Sequence, residues 1–378
     1  MYNNANQVRI LQLDHTSRCN LHCPLCARVA IGQPKDLNSR MPITDLTLDD
    51  YKILLEPFRN NNLHEIFHCG NFGDVIVSPT FEDTLYYSLP FTDQVVIATN
   101  GSARKPEWWE NLVKRCGNKL RMYFSIDGLE DTNHLYRVGS NWNKIIENVE
   151  AYINAGGIAH WQFIEFDHNS HQVDQARDLA NKLGFKSFKL RSSRRMNVTS
   201  ETGIDDTGED VKLTSTNIKK EMGFKNKKTN FKMSPGKKGV NNSIKQIATI
   251  EKRYNTFDEY VNKTDVSCKF QNHRTIFVDM EMKLWPCCWF GAVPYLDDKQ
   301  GDSLNYAIKQ YDKNFNDMRI HGWNALNHEF FQKYLPTSWQ RWKRGKYKRI
   351  YTCGRTCGTS FDYSVGHSSN VETTRFCN

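Results

Sequence analysis

The chain has 378 residues, 39% of them hydrophobic and 25% charged, and carries a net charge of +9. This length holds one large core, or one core and a smaller domain, and the composition excludes a disordered or fibrous chain. The charge is local: between Lys212 and Arg253 twelve Lys or Arg stand against two acids, Glu221 and Glu251, which implies a basic loop rather than a basic surface for nucleic acid.

The N-terminus, Met1-Tyr-Asn-Asn-Ala-Asn-Gln, has neither the basic nor the apolar region of a secretory signal. No run approaches the roughly 18 apolar residues of a membrane span. The expected location is therefore cytoplasmic, without a membrane partner. Short β-like runs then alternate with amphipathic stretches. Strands are expected at 8–13, 65–69, 94–98, 121–126, 161–166 and 187–190. Helices are expected after Thr47, where Thr47 and Asp50 form a capping box, from Trp142, and from His171 to Leu183 with Gly184 as C-cap. Six βα units at this spacing predict an α/β fold with a parallel sheet curved into an open barrel.

From about Met196 to Asp265 the pattern gives way to Ser, Thr, Asn, Gly and Lys, which reads as an insertion or linker with a short helix near 244–254. Periodicity returns with a strand from Thr275 to Asp279, followed by a turn and Leu284-Trp-Pro-Cys-Cys-Trp. Three regions follow, at 1–195, 196–265 and 266–378. A basic, aromatic run, 341–349, reads as a solvated face or as an offset to nearby negative charge, ahead of phosphate binding.

Eleven cysteines without a signal peptide, several in tight groups, read as metal ligands before disulfides. Ser17-Arg-Cys-Asn-Leu-His-Cys-Pro-Leu-Cys places Cys19, Cys23 and Cys26 directly after the first strand. Three thiolates on one loop suit a [4Fe–4S] cluster with one iron left open. A zinc knuckle, with His15, His22 or Cys69 as fourth ligand, is the alternative. The loop resembles the signature of radical S-adenosylmethionine (radical SAM) enzymes. That resemblance implies a cluster whose open iron binds SAM and whose electron releases a 5′-deoxyadenosyl radical, on a partial (β/α)6 TIM-like barrel.

The later strand ends carry further likenesses to the family. Gly73 and Asp74 fall where it has Gly-Gly-Glu-Pro, although Phe72, Asp74 and Val75 depart from that pattern. Ala98-Thr-Asn-Gly supplies Asn100, Phe124-Ser-Ile-Asp-Gly supplies Ser125 and Asp127, and Arg137 follows in His134-Leu-Tyr-Arg. With Arg191, these are the expected SAM-binding residues. His168 and Asn169 stand equally for site or surface, and Cys69 and Cys116 are read as buried apolar thiols.

The run from Thr275 to Trp289 resembles the hairpin of the family's SPASM and twitch modules, with Met282 in place of the turn glycine. The resemblance implies a small C-terminal twitch-type domain holding one auxiliary [4Fe–4S] cluster on Cys268, Cys287, Cys353 and Cys357. Cys288 or Cys377 could replace one of these ligands, and a zinc site on the same residues is the alternative. The expected function is hydrogen abstraction by radical SAM chemistry, with no catalytic side chain assigned. The expected substrate is a small polar metabolite, a sugar or nucleotide, ahead of a peptide or nucleic acid. A flavodoxin or ferredoxin would be the electron donor. The rival of another class is a non-catalytic iron–sulfur or zinc protein.

Overall fold

The computed structural model describes residues 2–24, 26–30, 33–192, 250, 252–295, 307–340, 349–359 and 372–376, with four three-residue strands at 202–204, 210–212, 224–226 and 231–233. Most of the 196–265 insertion, the basic run at 341–348 and Cys377 lie outside the described residues.

Nine strands make one sheet. In chain order they are β1 (Ile10–Leu13), β2 (Leu63–His68), β3 (Thr92–Thr99), β4 (Leu120–Ser125), β5 (Ile158–Glu165), β6 (Ser187–Ser192), β7 (Thr275–Val278), β8 (Leu284–Trp285) and β9 (Glu372–Arg375). Their spatial order is β8-β7-β1-β2-β3-β4-β5-β6-β9. The seven from β7 to β6 run parallel, while β8 and β9 lie antiparallel at the two ends. This is the mixed α/β, partial-barrel architecture that the alternation predicts. All six expected strands are present, with ends shifted by up to three residues.

Local chemistry explains the connecting helices. In α1 (Leu48–Leu55) the Asp50 N–H donates to Thr47 Oγ1 at 3.2 Å and the Thr47 N–H donates to Asp50 Oδ2 at 2.8 Å, closing the capping box. Next come α2 (Phe81–Ser88), α3 (Pro106–Cys116) and α4 (Trp142–Asn154), the last capped by the Asn141 side chain. α5 (Val173–Leu183) stops at Gly184, whose φ of +90° suits glycine. Trp109, Phe124, Tyr152, Trp161 and Phe185 pack edge and face between helices and sheet to form the core.

The C-terminal region joins this sheet. β7 is buried along its whole length and runs parallel to β1 in register, Ile10 opposite Thr275 and Leu13 opposite Val278. A strand covered on both faces takes a continuous apolar run, here Thr-Ile-Phe-Val. The turn into β8 is organised by Asp279. Its carboxylate accepts from the Glu281 N–H at 2.9 Å, the Lys283 N–H at 3.0 Å and Trp285 Nε1 at 2.7 Å. Met282 sits in that turn with φ +61°, a glycine-type conformation held by these bonds and by burial of its side chain. Arg319 ties the C-terminal region to α1, donating to both oxygens of Asp50 at 2.7 and 2.9 Å.

Candidate active site

The chain leaves β1 into the segment that carries the first three cysteines. Ser17 Oγ donates to the Pro42 carbonyl at 2.6 Å, Thr16 Oγ1 donates to Asp45 Oδ1 at 2.7 Å, and Arg18 pairs with Asp45 at 2.7 Å. The buried Arg28 wraps the loop from its far side. Its guanidinium donates to the carbonyls of Ser17 at 2.9 Å, Cys19 at 3.0 Å and Leu21 at 3.4 Å. No motif marks Arg28; only the folded loop shows that three carbonyls converge on it.

Cys23 is buried among Leu21, Tyr136 and Phe166, with Cys19 and Cys26 packed against the same cluster. Burial pushes the Cys19 thiol up to about 12, with the neighbouring Asp74, Cys23 and Cys26 adding to the rise, and pushes Cys23 up as well. Buried thiols this hard to ionise gain most from a positive centre that would hold them as thiolates. Among the described residues, no three His, Cys, Asp or Glu side chains are drawn together around a single-ion position. The donor set is three sulfurs on one loop, which fits an iron–sulfur cluster with one open iron.

The strand ends close over this loop. Gly73, beyond β2, lies so near it that a Cβ would sit 2.2 Å from the Thr16 carbonyl oxygen and 2.6 Å from that of Arg18. Only glycine permits that approach. The next residue, Asp74, donates its N–H to the Arg18 carbonyl at 2.8 Å. Its carboxylate accepts from Thr99 Oγ1 at 3.0 Å, the Asn100 N–H at 2.8 Å and the Ile76 N–H at 3.4 Å. Asn100, after β3, donates through Nδ2 to Asn20 Oδ1 at 3.0 Å and to Cys19 Sγ at 3.8 Å.

Ser125 ends β4 half-buried, with Gln162 as its partner in register. Asp127 is fully buried. One oxygen accepts from the Ile164 N–H at 2.6 Å, and the other from Arg137 Nε at 2.6 Å. Arg137 reaches on to Cys23 Sγ, 3.9 Å from Nη1, and the buried Asp127 carboxylate favours its charged form. Arg191, near the end of β6, lies within electrostatic reach of Asp127. Asn169 is buried and spans the β5 end, donating to the carbonyls of Asp127 at 2.8 Å and Ile164 at 3.0 Å while accepting from the Phe166 N–H. His168 stacks on Phe166 at 5.3 Å.

Of the alternative zinc ligands, His15 is spent on protein partners. Its Nδ1 lies 3.0 Å from the Tyr51 hydroxyl, and its Nε2 3.1 and 3.0 Å from Ser78 and Thr80. Burial lowers its pKa to about 4. A histidine buried neutral stabilises the fold above its unfolded value of about 6.5 and loses that contribution as pH falls toward 4, an amount of about 3 kcal/mol. Denaturant midpoints are thus expected to fall between pH 6.5 and 4, and less steeply in His15→Gln. An equal slope in both proteins would remove His15 as the cause.

Cys69 has polar company. Its Sγ donates to the Leu13 carbonyl at 3.4 Å and to Asp14 at 3.6 Å, and accepts from Asn71 Nδ2 at 3.2 Å. Only Cys116 of this pair has the apolar setting expected for both.

The second cysteine set also converges. Cys268, Cys287, Cys353 and Cys357 line one small pocket walled by Phe270, Trp289, Phe290 and Trp339. Cys287 comes from the end of the β7–β8 hairpin, and Cys353 and Cys357 from α6 (Tyr351–Cys357). Cys288 is outside that lining and lies within electrostatic reach of Cys69. Four thiols line one apolar pocket without meeting around a single-ion position, a donor set that fits a closed cluster better than a closed zinc site.

No protein-family model matches the chain, and no curated protein matches it in sequence. Among solved structures, native anSMEcpe with bound AdoMet is similar with a TM-score of 0.52 at 12% identity, over 95% of this chain and 95% of that one. The same protein with bound AdoMet and Kp18Cys peptide gives 0.50 at 11%, over 95% and 94%. Streptococcus suis SuiB bound to precursor peptide SuiA gives 0.47 at 13%, over 77% of this chain and 62% of that one, so the chain spans about three fifths of SuiB. The likeness is one of fold: the chain has the partial-barrel architecture of the radical SAM enzymes. No helix among the described residues is long and apolar enough to cross a membrane.

Proposed function

We propose that the protein is a radical SAM enzyme, with the Cys19/Cys23/Cys26 loop as its reactive centre. The observation that carries this reading is the gathering of three thiols, Cys23 buried and Cys19 and Cys26 half-buried, under the ends of β2, β3 and β4, where Asn100 and Arg137 point N–H groups at two of the sulfurs. A [4Fe–4S] cluster on these cysteines would supply the electron that cleaves SAM to a 5′-deoxyadenosyl radical, which takes hydrogen from the substrate.

The chain's own residues set the geometry. Arg28 ties together the carbonyls of Ser17, Cys19 and Leu21 and so fixes the backbone of the loop. Gly73 allows the β2 loop to approach, and Asn100 fixes the Cys19 side. Asp74 and Asp127 spend their oxygens on neighbours, so we assign both as positioning residues for Asn100 and Arg137. Asn100, Ser125, Arg137 and Arg191 remain to touch SAM.

A peptide is the substrate class with support, because the chain resembles in fold, over 95% of its length, anSMEcpe, described with AdoMet and a bound peptide. The small polar metabolite expected from the sequence has no such support, and neither has a nucleic acid. A flavodoxin or ferredoxin remains the proposed electron donor, and a cytoplasmic location the proposed setting. Anaerobic reconstitution with iron, sulfide, reductant and SAM tests the reading by mass spectrometry. If an intact cluster yields no 5′-deoxyadenosine, the protein is a non-catalytic iron–sulfur protein instead.

Residues 266–378 would hold the auxiliary cluster on Cys268, Cys287, Cys353 and Cys357. Cys353→Ala is expected to lower bound iron from about eight to about four atoms per chain, while SAM cleavage persists. Iron unchanged at the higher figure would overturn that ligand set, and zinc in the anaerobically purified protein would replace it.

A further inference from the structure

The sheet carries a second polar site on the face turned away from the helices. Along β4, Phe124 packs against Trp109 of α3, 5.4 Å between ring centres. Arg121 and Tyr123 alternate onto the opposite face. The register sets Tyr123 beside His160 on β5 and His160 beside Ser187 on β6.

Their side chains meet. The Tyr123 and His160 rings stack at 4.6 Å and 20°, and His160 Nδ1 lies 2.7 Å from Ser187 Oγ. Lys189 Nζ donates to the Tyr123 hydroxyl at 3.2 Å and lies 4.4 Å from the ring centre.

The charge on this face is unbalanced. Lys189 and Arg121 are both half-buried, and neither forms an ion pair among the described residues. The one acid within electrostatic reach of both among the described residues, Glu65, accepts from Gln94 Nε2 at 2.6 Å, and burial outweighs the two cations and pushes its pKa up. Burial, Arg191 and Arg375 depress Lys189, and burial with Lys189 and Arg121 takes His160 down to about 4. Half-buried cations that face an acid whose ionised form burial disfavours raise the local positive potential, which focuses on anions.

We propose that this concave face binds an anionic group of the substrate, a carboxylate or a phosphate, between Lys189 and Arg121 beside the Tyr123–His160 stack. Lys189 lies two residues before Arg191 on β6, so the anion would sit roughly 7 Å below the strand ends where SAM is proposed to bind. The inference takes from the proposed function only that the barrel interior receives a substrate.

The test uses the full-length reconstituted protein, titrated by calorimetry with inorganic phosphate and, separately, with glutarate. At least one anion is expected to bind, and the one that binds more tightly identifies the group. Lys189→Met and Arg121→Met are each expected to weaken it at least about tenfold, with SAM affinity held within about twofold. Lys189→Arg, which keeps the charge, should retain binding and serves if a methionine variant misfolds. Failure of both anions to bind, equal binding in the charge-removing variants, or a parallel loss of SAM affinity would overturn the proposal. None of these measurements needs turnover, so a missing 5′-deoxyadenosine signal would not mimic any of them.

Discussion

Cys23→Ala is expected to hold about four fewer iron atoms than the unaltered chain after anaerobic reconstitution, and to form 5′-deoxyadenosine at least about a thousandfold more slowly. Cys23 is the deepest of the three thiols, enclosed by Leu21, Tyr136 and Phe166 and approached by Arg137. A loop with two sulfurs cannot keep a cubane with one open iron, so loss should be complete rather than graded. Cys116→Ala supplies the control, because that thiol packs on α3 in the apolar core, away from the loop. It should retain full iron and full cleavage. If Cys23→Ala kept both, the triad would not be the reactive centre, whatever its spacing.

The parts of this arrangement that could be read from the sequence are those encoded by short-range pattern. Three cysteines within eight positions must share a loop, and alternating strands separated by amphipathic helices must build a parallel sheet. The capping box at Thr47 and Asp50 and the Gly184 C-cap are equally local. What escaped was set by long-range contact. The strand at Thr275 was legible, but its parallel pairing with β1, some 260 positions earlier, was not.

Arg28 carries no motif, since its partners are backbone carbonyls that converge only after the loop has folded. The strand-end motifs mark which residues gather without saying how their atoms are used. Asp74 and Asp127, expected at the cofactor, accept from Thr99, Asn100, Ile164 and Arg137, partners that the motifs do not reveal. Adjacent cysteines posed the same difficulty. Cys287 and Cys288 are equivalent as sequence, and only the geometry of the hairpin end sends one to the thiol pocket and the other toward Cys69.

The Asp127–Arg137 pair gives the largest expected effect on stability. Asp127 is wholly inaccessible, and the Arg137 side chain is 16% exposed. Removing one partner of such a pair leaves a buried charge without compensation, at a cost of about 3–5 kcal/mol. Arg137→Met keeps much of the apolar stem, so the loss should be mainly electrostatic. The sign of its pH dependence follows. Burial already raises the Asp127 pKa with Arg137 in place; without that guanidinium Asp127 keeps the Ile164 N–H as its strong donor, and the rise is larger.

An acid whose folded pKa is raised stabilises the fold below its unfolded value of about 3.9 and loses that contribution as pH rises. The deficit of Arg137→Met relative to the unaltered chain should therefore be large at pH 8 and shrink toward pH 4. Taking the difference between the two proteins cancels the titration of His15, which both retain. Asp127→Asn in the Arg137→Met background should recover part of the loss at pH 8, because it removes the stranded charge. Urea midpoints for the three proteins at both pH values decide the matter. A deficit equal at pH 4 and pH 8 would assign the cost to lost packing of the arginine stem and remove the ion pair from the account of how the loop is held.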